Sequence, residues 1–367
     1  MFFMSLTSVR FNNRVQEQKE FIRELRQRVH EYFKHNSIST HANRDMYIKT
    51  GFMLLLYFIP FLGITLYSSP SVGWNLLMWV IMGFGMAGIG LSVMHDANHG
   101  TYSSNPFINK LFGSSMFLLG GNPVNWRIQH NVLHHSFTNI DGLDEDISPV
   151  GLLRFSPHKP LKKMHKFQYL YAWPLYTLMT IMWVVSKDFK QVLRYQKSGL
   201  LETQQVSKGV MWSTVILSKV FYYAIFLGLP ILLTSIPFGY HILGFIVMHL
   251  IGGFILTIIF QPAHVMPDME YPLPDDQGSM ENHFAIHELL TTTNFAPKNK
   301  ILTWYAGGLN FQIEHHLFPN ICHIHYPAIA PIVQETCKEF NLPYYSVESF
   351  RTALGQHAGM LKKLGAA

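Results

Sequence analysis

The sequence predicts an all-α integral-membrane protein with four transmembrane helices arranged as two hairpins. Two observations carry that expectation. Residues 50–94 contain no Asp, Glu, Lys or Arg, and neither do residues 220–267; each run is roughly twice the ~20 residues that one helix needs to cross a bilayer. Each run also holds a breaker near its middle, Ser68-Ser69-Pro70-Ser71 in the first and Ser235-Ile236-Pro237-Phe238-Gly239 in the second, so each reads as two spans and a tip. Composition agrees: 14% of residues are charged, against about 25% in an ordinary soluble domain.

The spans are expected near residues 50–68, 73–94, 216–234 and 240–262. They lie in a membrane domain of residues 47–345, preceded by an amphipathic segment of residues 1–46 and followed by a tail of residues 346–367. Lys and Arg are concentrated before Lys49, in the middle segment and in the C-terminal segment, while the two tips hold none. The positive-inside rule therefore places both termini and the middle segment in the cytoplasm. The net charge of +6 suits anionic headgroups and requires no nucleic acid. Residues 1–13 lack the charged-then-apolar order of a cleavable signal peptide. After them, Ile22, Leu25, Val29 and Phe33 recur at helical spacing among basic residues, which predicts an amphipathic helix lying on the membrane interface or packed on the protein's own cytoplasmic part. Cys322 and Cys337 are too few and too far apart for a disulfide framework or a cysteine zinc site. Residues 167–186 are also uncharged and long enough to span, but Pro174 interrupts them; they are expected to be interfacial or re-entrant.

The chemistry lies in the 20 histidines. His95 and His99 stand four apart just after the second span, so on a helix both imidazoles face one ion. His130, His134 and His135 repeat that pair and add an adjacent imidazole. Gln312, His315 and His316 have the same frame with Gln at its head. His264 closes the fourth span as His95 closes the second. His287, Asn294 and Gln312 are further candidate ligands, Asn294 through a water. So many convergent imidazoles exceed what one ion can accept, which implies two metals, and imidazole suits iron, zinc, copper and nickel alike.

These three boxes, in this order around two apolar hairpins, resemble the histidine boxes of the membrane fatty-acid desaturases, over about residues 47–342. Gln312 at the head of Gln312-Ile313-Glu314-His315-His316 is similar to the front-end branch, which acts between an existing double bond and the carboxyl end. The stretch from His287 to Asn294 and His323-Ile324-His325-Tyr326-Pro327 resemble bacterial linoleoyl-CoA desaturases. The resemblance implies four spans in a bacterial inner membrane, a cytoplasmic helical cap carrying the boxes, two iron ions held by histidine, O2 as co-substrate and a fatty acyl substrate carried as acyl-CoA or acyl-lipid. No His-Pro-Gly-Gly haem motif of a fused cytochrome b5 is present, so the electrons are expected from a separate ferredoxin or cytochrome b5-type protein. Gln312 stands where other branches use a histidine ligand.

Metal-bound histidine usually gives its other N–H to a carboxylate or carbonyl. Asp96, Asp144, Asp146 and Glu314 stand beside the boxes for that role, the alternative being solvated or helix-capping acids. Trp126, Arg127 and the lysines 159, 162, 163 and 166 could meet the phosphates of an acyl donor, but are expected chiefly as interfacial anchors. The rival readings are a related histidine-box lipid hydroxylase or carotenoid oxygenase and, from another class, a membrane metal transporter. Transporters hold their sites near the bilayer midplane, whereas these boxes stand at span ends.

Overall fold

In the computed structural model the described residues are 9–67, 71–148 and 151–366; Ser68, Ser69 and Pro70 of the first breaker lie outside them. In chain order the helices that matter below are α1 (Gln16–His35), α2 (Arg44–Leu66), α3 (Val72–Asn98), α4 (Pro123–Arg127), α5 (Asp188–Lys197), α6 (Lys208–Leu233), α7 (Phe238–His264), α8 (Phe284–Thr291), α9 (Gln312–Leu317), α10 (Tyr326–Glu339) and α11 (Phe350–Ala366). Two short strands, β1 (Asn294–Phe295) and β2 (Ser346–Val347), pair in parallel. The chain divides into two compact units: Asn43–Ile128 with Trp173–Ile258, and Met1–Ala42 with Gln129–Ala172 and Ile259–Ala367.

The first unit holds the apolar helices. Among the described residues, α2, α3, α6 and α7 are long and apolar enough to cross a membrane. Side-chain caps set the starts of three of them. Asn43 accepts from the backbone N–H groups of Asp45 and Met46, Ser71 from Trp74, and Ser207 from Val210, each satisfying donors that a helix start leaves open. The third apolar helix begins at Lys208, where Ser207 caps it, well before the expected start near 216, and its one interior charge is paired inside the protein. Lys219 donates to Asp188 Oδ2 and to the Gly120 carbonyl. Residues 167–186 do not form a continuous helix. The chain is helical over Gln168–Tyr176, breaks, and resumes at Met179–Met182. A side chain at Gly253 of α7 would collide with the Thr177 carbonyl, so glycine there lets the break seat directly on α7.

The second unit buries the apolar stripe of α1. Phe21, Leu25, Val29 and Phe33 pack with Leu289 of α8, Ile313 of α9 and Val333 of α10 in one core. Of the two alternatives for this helix, the structure selects packing on the protein itself: the stripe is covered and is not a membrane-facing surface. Cys322 and Cys337 are buried free thiols.

In the same unit His357 of α11 is fully buried and its Nδ1–H donates to the Val265 carbonyl at 2.8 Å. Burial pushes its pKa down to about 4, below the ~6.5 of an unfolded histidine. The unfolded chain therefore takes up a proton that the folded chain refuses. This contribution is complete above pH 6.5 and is lost as pH falls from there towards 4. At ~1.4 kcal/mol per pH unit it amounts to about 3 kcal/mol. Stability curves of the wild type and His357→Gln against pH should diverge in slope within that window, and parallel curves would contradict the assignment.

Candidate metal centre

In the unit that holds α2 and α3, His95 and His99 share one face as their spacing predicts, with ring centroids 4.7 Å apart. A wider turn of π-helix, Ile89–Met94, precedes them in α3, and such turns re-aim the residues that follow. His95 Nδ1 stands 3.5 Å from Asp96 Oδ1, both buried. Trp126 of α4 sets its ring edge-on to His95 and His99 at 5.7 and 5.9 Å. Arg127 donates to Asn98 Oδ1 at 3.0 Å and to Gln204 at 2.8 Å, while Asn98 donates to the Met94 and Gly113 carbonyls. Trp126 and Arg127 thus brace the first box, where interfacial anchors were expected. Of the lysines, Lys159 pairs with Asp141 at 3.2 Å and Lys162 donates to the Gly151 carbonyl.

The other unit gathers the second and third boxes with His264. A second π-helical segment, Ile128–His134, carries the second box. The His135 N–H bonds to the His130 carbonyl at 2.9 Å, an i→i+5 closure that puts residues five apart on one face. The Nε2 atoms of His130 and His135 consequently lie 3.2 Å apart, while the rings of His130 and His134 stack at 5.4 Å. Regular helical spacing predicts His130 and His134 as the converging pair, whereas the π-helical turn makes it His130 and His135.

The third box is presented by two successive left-handed glycines, Gly307 and Gly308 (φ 61° and 66°). A side chain at Gly308 would strike the His323 carbonyl. The turn leads into α9, which brings His315 Nε2 to 2.9 Å from His135 Nε2. Two groups result in this unit, His134 with His264 and His316, and His135 with His315 and His316; within each, the ligand atoms lie within 4.8 Å of one another. His130, His134 and Asp146 form a further such group.

The Nδ1 atoms are turned outward onto protein partners. His134 Nδ1 is 3.1 Å from both oxygens of Asp144. His316 Nδ1 is 2.7 Å from Glu288 Oε2. His264 Nδ1 donates to the Thr291 carbonyl at 3.1 Å, and His315 Nδ1 meets the Tyr326 hydroxyl at 3.2 Å. This is the arrangement that fixes the tautomer and leaves Nε2 to bind an ion. Burial alone would depress His134, but Asp144 and Asp146 outweigh it and raise its pKa to about 9; a metal ion is the other cation that such carboxylates favour at that ring. Burial holds the Glu288 pKa well above the carboxylate range, and the Thr138 hydroxyl and His134 draw it partly back.

These residues fit a metal centre on their own chemistry. His264 Nε2 is buried and has no partner, a costly state for a polar atom. Nε2 separations of 2.9 and 3.2 Å match neighbouring ligands on one ion with metal–imidazole bonds of about 2.1 Å.

Other expected site residues are engaged elsewhere. His287 Nε2 donates to the Thr138 carbonyl at 2.7 Å. Asn294 donates to Glu314 and accepts from the Ile313 N–H. Gln312 donates to the Leu309 carbonyl at 2.7 Å. Glu314 takes Asn294 and the Tyr344 hydroxyl at 2.8 and 2.9 Å, and burial raises its pKa to about 7. Asp146 lies 3.8 Å from His130 Nδ1 and 3.6 Å from His134 Nδ1. Glu288 was missed as a partner; its signal was a lone carboxylate in the otherwise uncharged run beside His287.

The sequence pattern of the family described as fatty acid desaturase matches residues 71–348, a stretch that contains every candidate metal-binding histidine. The chain belongs to the fatty acid desaturase family. It is similar to a protein of Arthrospira platensis named sn-1 linoleoyl-lipid 6-desaturase, with 34% identity over 94% of this chain and 92% of that one. A Synechocystis protein of the same name is 34% identical over 96% and 97% of the two chains. An acyl-lipid (8-3)-desaturase of Physcomitrium patens is 36% identical over 95% of this chain and 72% of its own. This desaturase is therefore an oxidoreductase, and its histidine clusters fit a di-iron centre.

Proposed function

We propose that this desaturase inserts a double bond into an acyl chain of a membrane lipid, on the carboxyl side of an existing double bond. The observation that carries the reading is the near full-length similarity to cyanobacterial proteins named for lipid-linked linoleoyl chains, together with Gln312 at the head of the third box. The proposed ligands are His95, His99, His130, His134, His135, His264, His315 and His316, with His287, Asn294 and Gln312 left to support the surrounding backbone. When bound, two irons supply the oxidising power that an unactivated methylene demands, since such a C–H bond offers no acidity to exploit. The reaction consumes O2, two electrons and two protons and releases two waters as two hydrogens leave neighbouring carbons. The electrons come from a separate ferredoxin or cytochrome b5-type donor.

The chain's own contribution is placement. Asp144, Glu288 and the Thr291 carbonyl hold Nδ1 protons, so that the Nε2 lone pairs of His134, His316 and His264 point to one centre. The apolar helices exclude bulk water, which would quench an oxidant. Two hairpins with termini and boxes on the cytoplasmic side would satisfy both the basic-residue bias and the need for all boxes to share one face. Labelling of cysteines introduced at Ser186 and Ser207 from opposite faces would defeat that topology.

The functional test is expression in a host of defined lipid composition, with the new double bonds mapped by position and by lipid class. New bonds on the carboxyl side of existing ones in glycerolipids are expected. Hydroxylated products, or none, would overturn the reading. Glu288→Gln is expected to keep the fold while weakening iron retention about 10- to 100-fold, the usual cost of losing a ligand's outer partner. Iron removal by a ferrous chelator measures it, and unchanged release would disprove the role.

A further inference from the structure

The geometry points to Asn139 as the residue that positions His134 and His264 relative to each other, an inference that rests on the metal reading above. Asn139 is fully buried and adopts a left-handed backbone, φ 60°, a conformation asparagine tolerates better than most residues. That backbone turns its N–H onto Asp144 Oδ2 at 2.9 Å, the same carboxylate that receives His134 Nδ1. Its side-chain amide reaches the other way and donates to the His264 carbonyl at 3.0 Å and the Glu270 carbonyl at 3.1 Å. The same amide lies 3.5 Å from the Thr291 carbonyl, which is the acceptor of His264 Nδ1.

One residue thus ties the carboxylate that orients one imidazole to both carbonyls that fix the other. The two rings stand 4.7 Å apart, centroid to centroid, yet come from segments far apart in sequence, and no regular helix holds them in register. The amide acts here as a donor to carbonyls. Aspartate has the same size and the same tolerance of a left-handed backbone but no N–H to give, and glycine keeps the backbone and its N–H while deleting the amide alone. Asn139 touches neither substrate nor ion, so it is a positioning residue.

The test uses full-length wild type, Asn139→Gly, Asn139→Asp, His264→Ala and the Asn139→Gly/His264→Ala double variant, purified in detergent and loaded with iron. Iron per chain, release rate to a ferrous chelator and thermal midpoint are measured for each. Asn139→Gly and Asn139→Asp are each expected to release one of two irons at least tenfold faster than wild type. The double variant should release it no faster than His264→Ala alone, because both changes disable the same ligand. Both irons kept at the wild-type rate, with only a lower midpoint, would reduce Asn139 to a structural role and overturn the inference. If the glycine variant fails to fold, the aspartate variant decides by the same outcomes. Wild-type protein that binds no iron would bring down the metal reading itself, a result distinguishable from failure of the Asn139 link.

Discussion

Replacing His316 with alanine is expected to abolish product formation and to cost the protein iron. Its imidazole belongs to two groups at once, one with His134 and His264 and one with His135 and His315. Removing it therefore takes a donor from both. The change also strands Glu288, a carboxyl group at 1% exposure that is 2.7 Å from His316 Nδ1, and a buried polar group left without its partner is costly. His287→Ala is the matched control. That ring is equally buried, but its Nε2 is given to the Thr138 carbonyl, so iron content should be largely kept. Iron analysis and lipid profiles of the two variants decide the matter; retained desaturation in His316→Ala would remove His316 from the ligand set.

The largest effect on stability is expected at Lys219. Its ammonium is buried in α6, 2.5 Å from Asp188 Oδ2 at the start of α5, and it also donates to the Gly120 carbonyl. Asn125 of α4 donates to the same carboxylate at 3.1 Å. Lys219→Met leaves Asp188 charged and buried, a situation that typically costs about 3–5 kcal/mol. Asp188→Leu combined with Lys219→Met removes both charges and should recover most of that loss, since a buried pair is seldom better than well-packed apolar residues. Thermal unfolding in detergent measures both, and a double variant as unstable as the single one would show that the pair itself carries the stability.

Much of this protein is legible in one dimension because its strongest signals are local. A charge-free run states its medium without reference to any neighbour, and the four long apolar helices coincide with what residues 50–94 and 220–267 foretell. His95 and His99 behave as their spacing demands, because an i, i+4 pair on a regular helix needs no tertiary contact to converge. The second box shows the limit of that logic. The π-helical turn from Ile128 to His134 makes His135, five residues on, the near neighbour of His130.

The partners of the imidazoles show where sequence proximity misleads. Glu314 precedes His315 and His316 in the chain, yet it is engaged by Asn294 and Tyr344. The carboxylate on His316 comes from Glu288, on another helix. The amphipathic face of α1 could equally have met lipid or protein, and only the docking of α8, α9 and α10 against it decides for protein.

By itself, then, the order of residues determined that the chain is helical, lives in a membrane and carries histidines in numbers and spacings suited to metal, because hydrophobic length and helical periodicity are properties of contiguous residues. The tertiary structure alone decided which acid or carbonyl meets the Nδ1 side of His134, His264 and His316, and that Asn139 bonds both to Asp144 and to the His264 carbonyl. Those relations join segments that are distant in the chain, and a hydrogen bond is specified by where its two atoms meet in space.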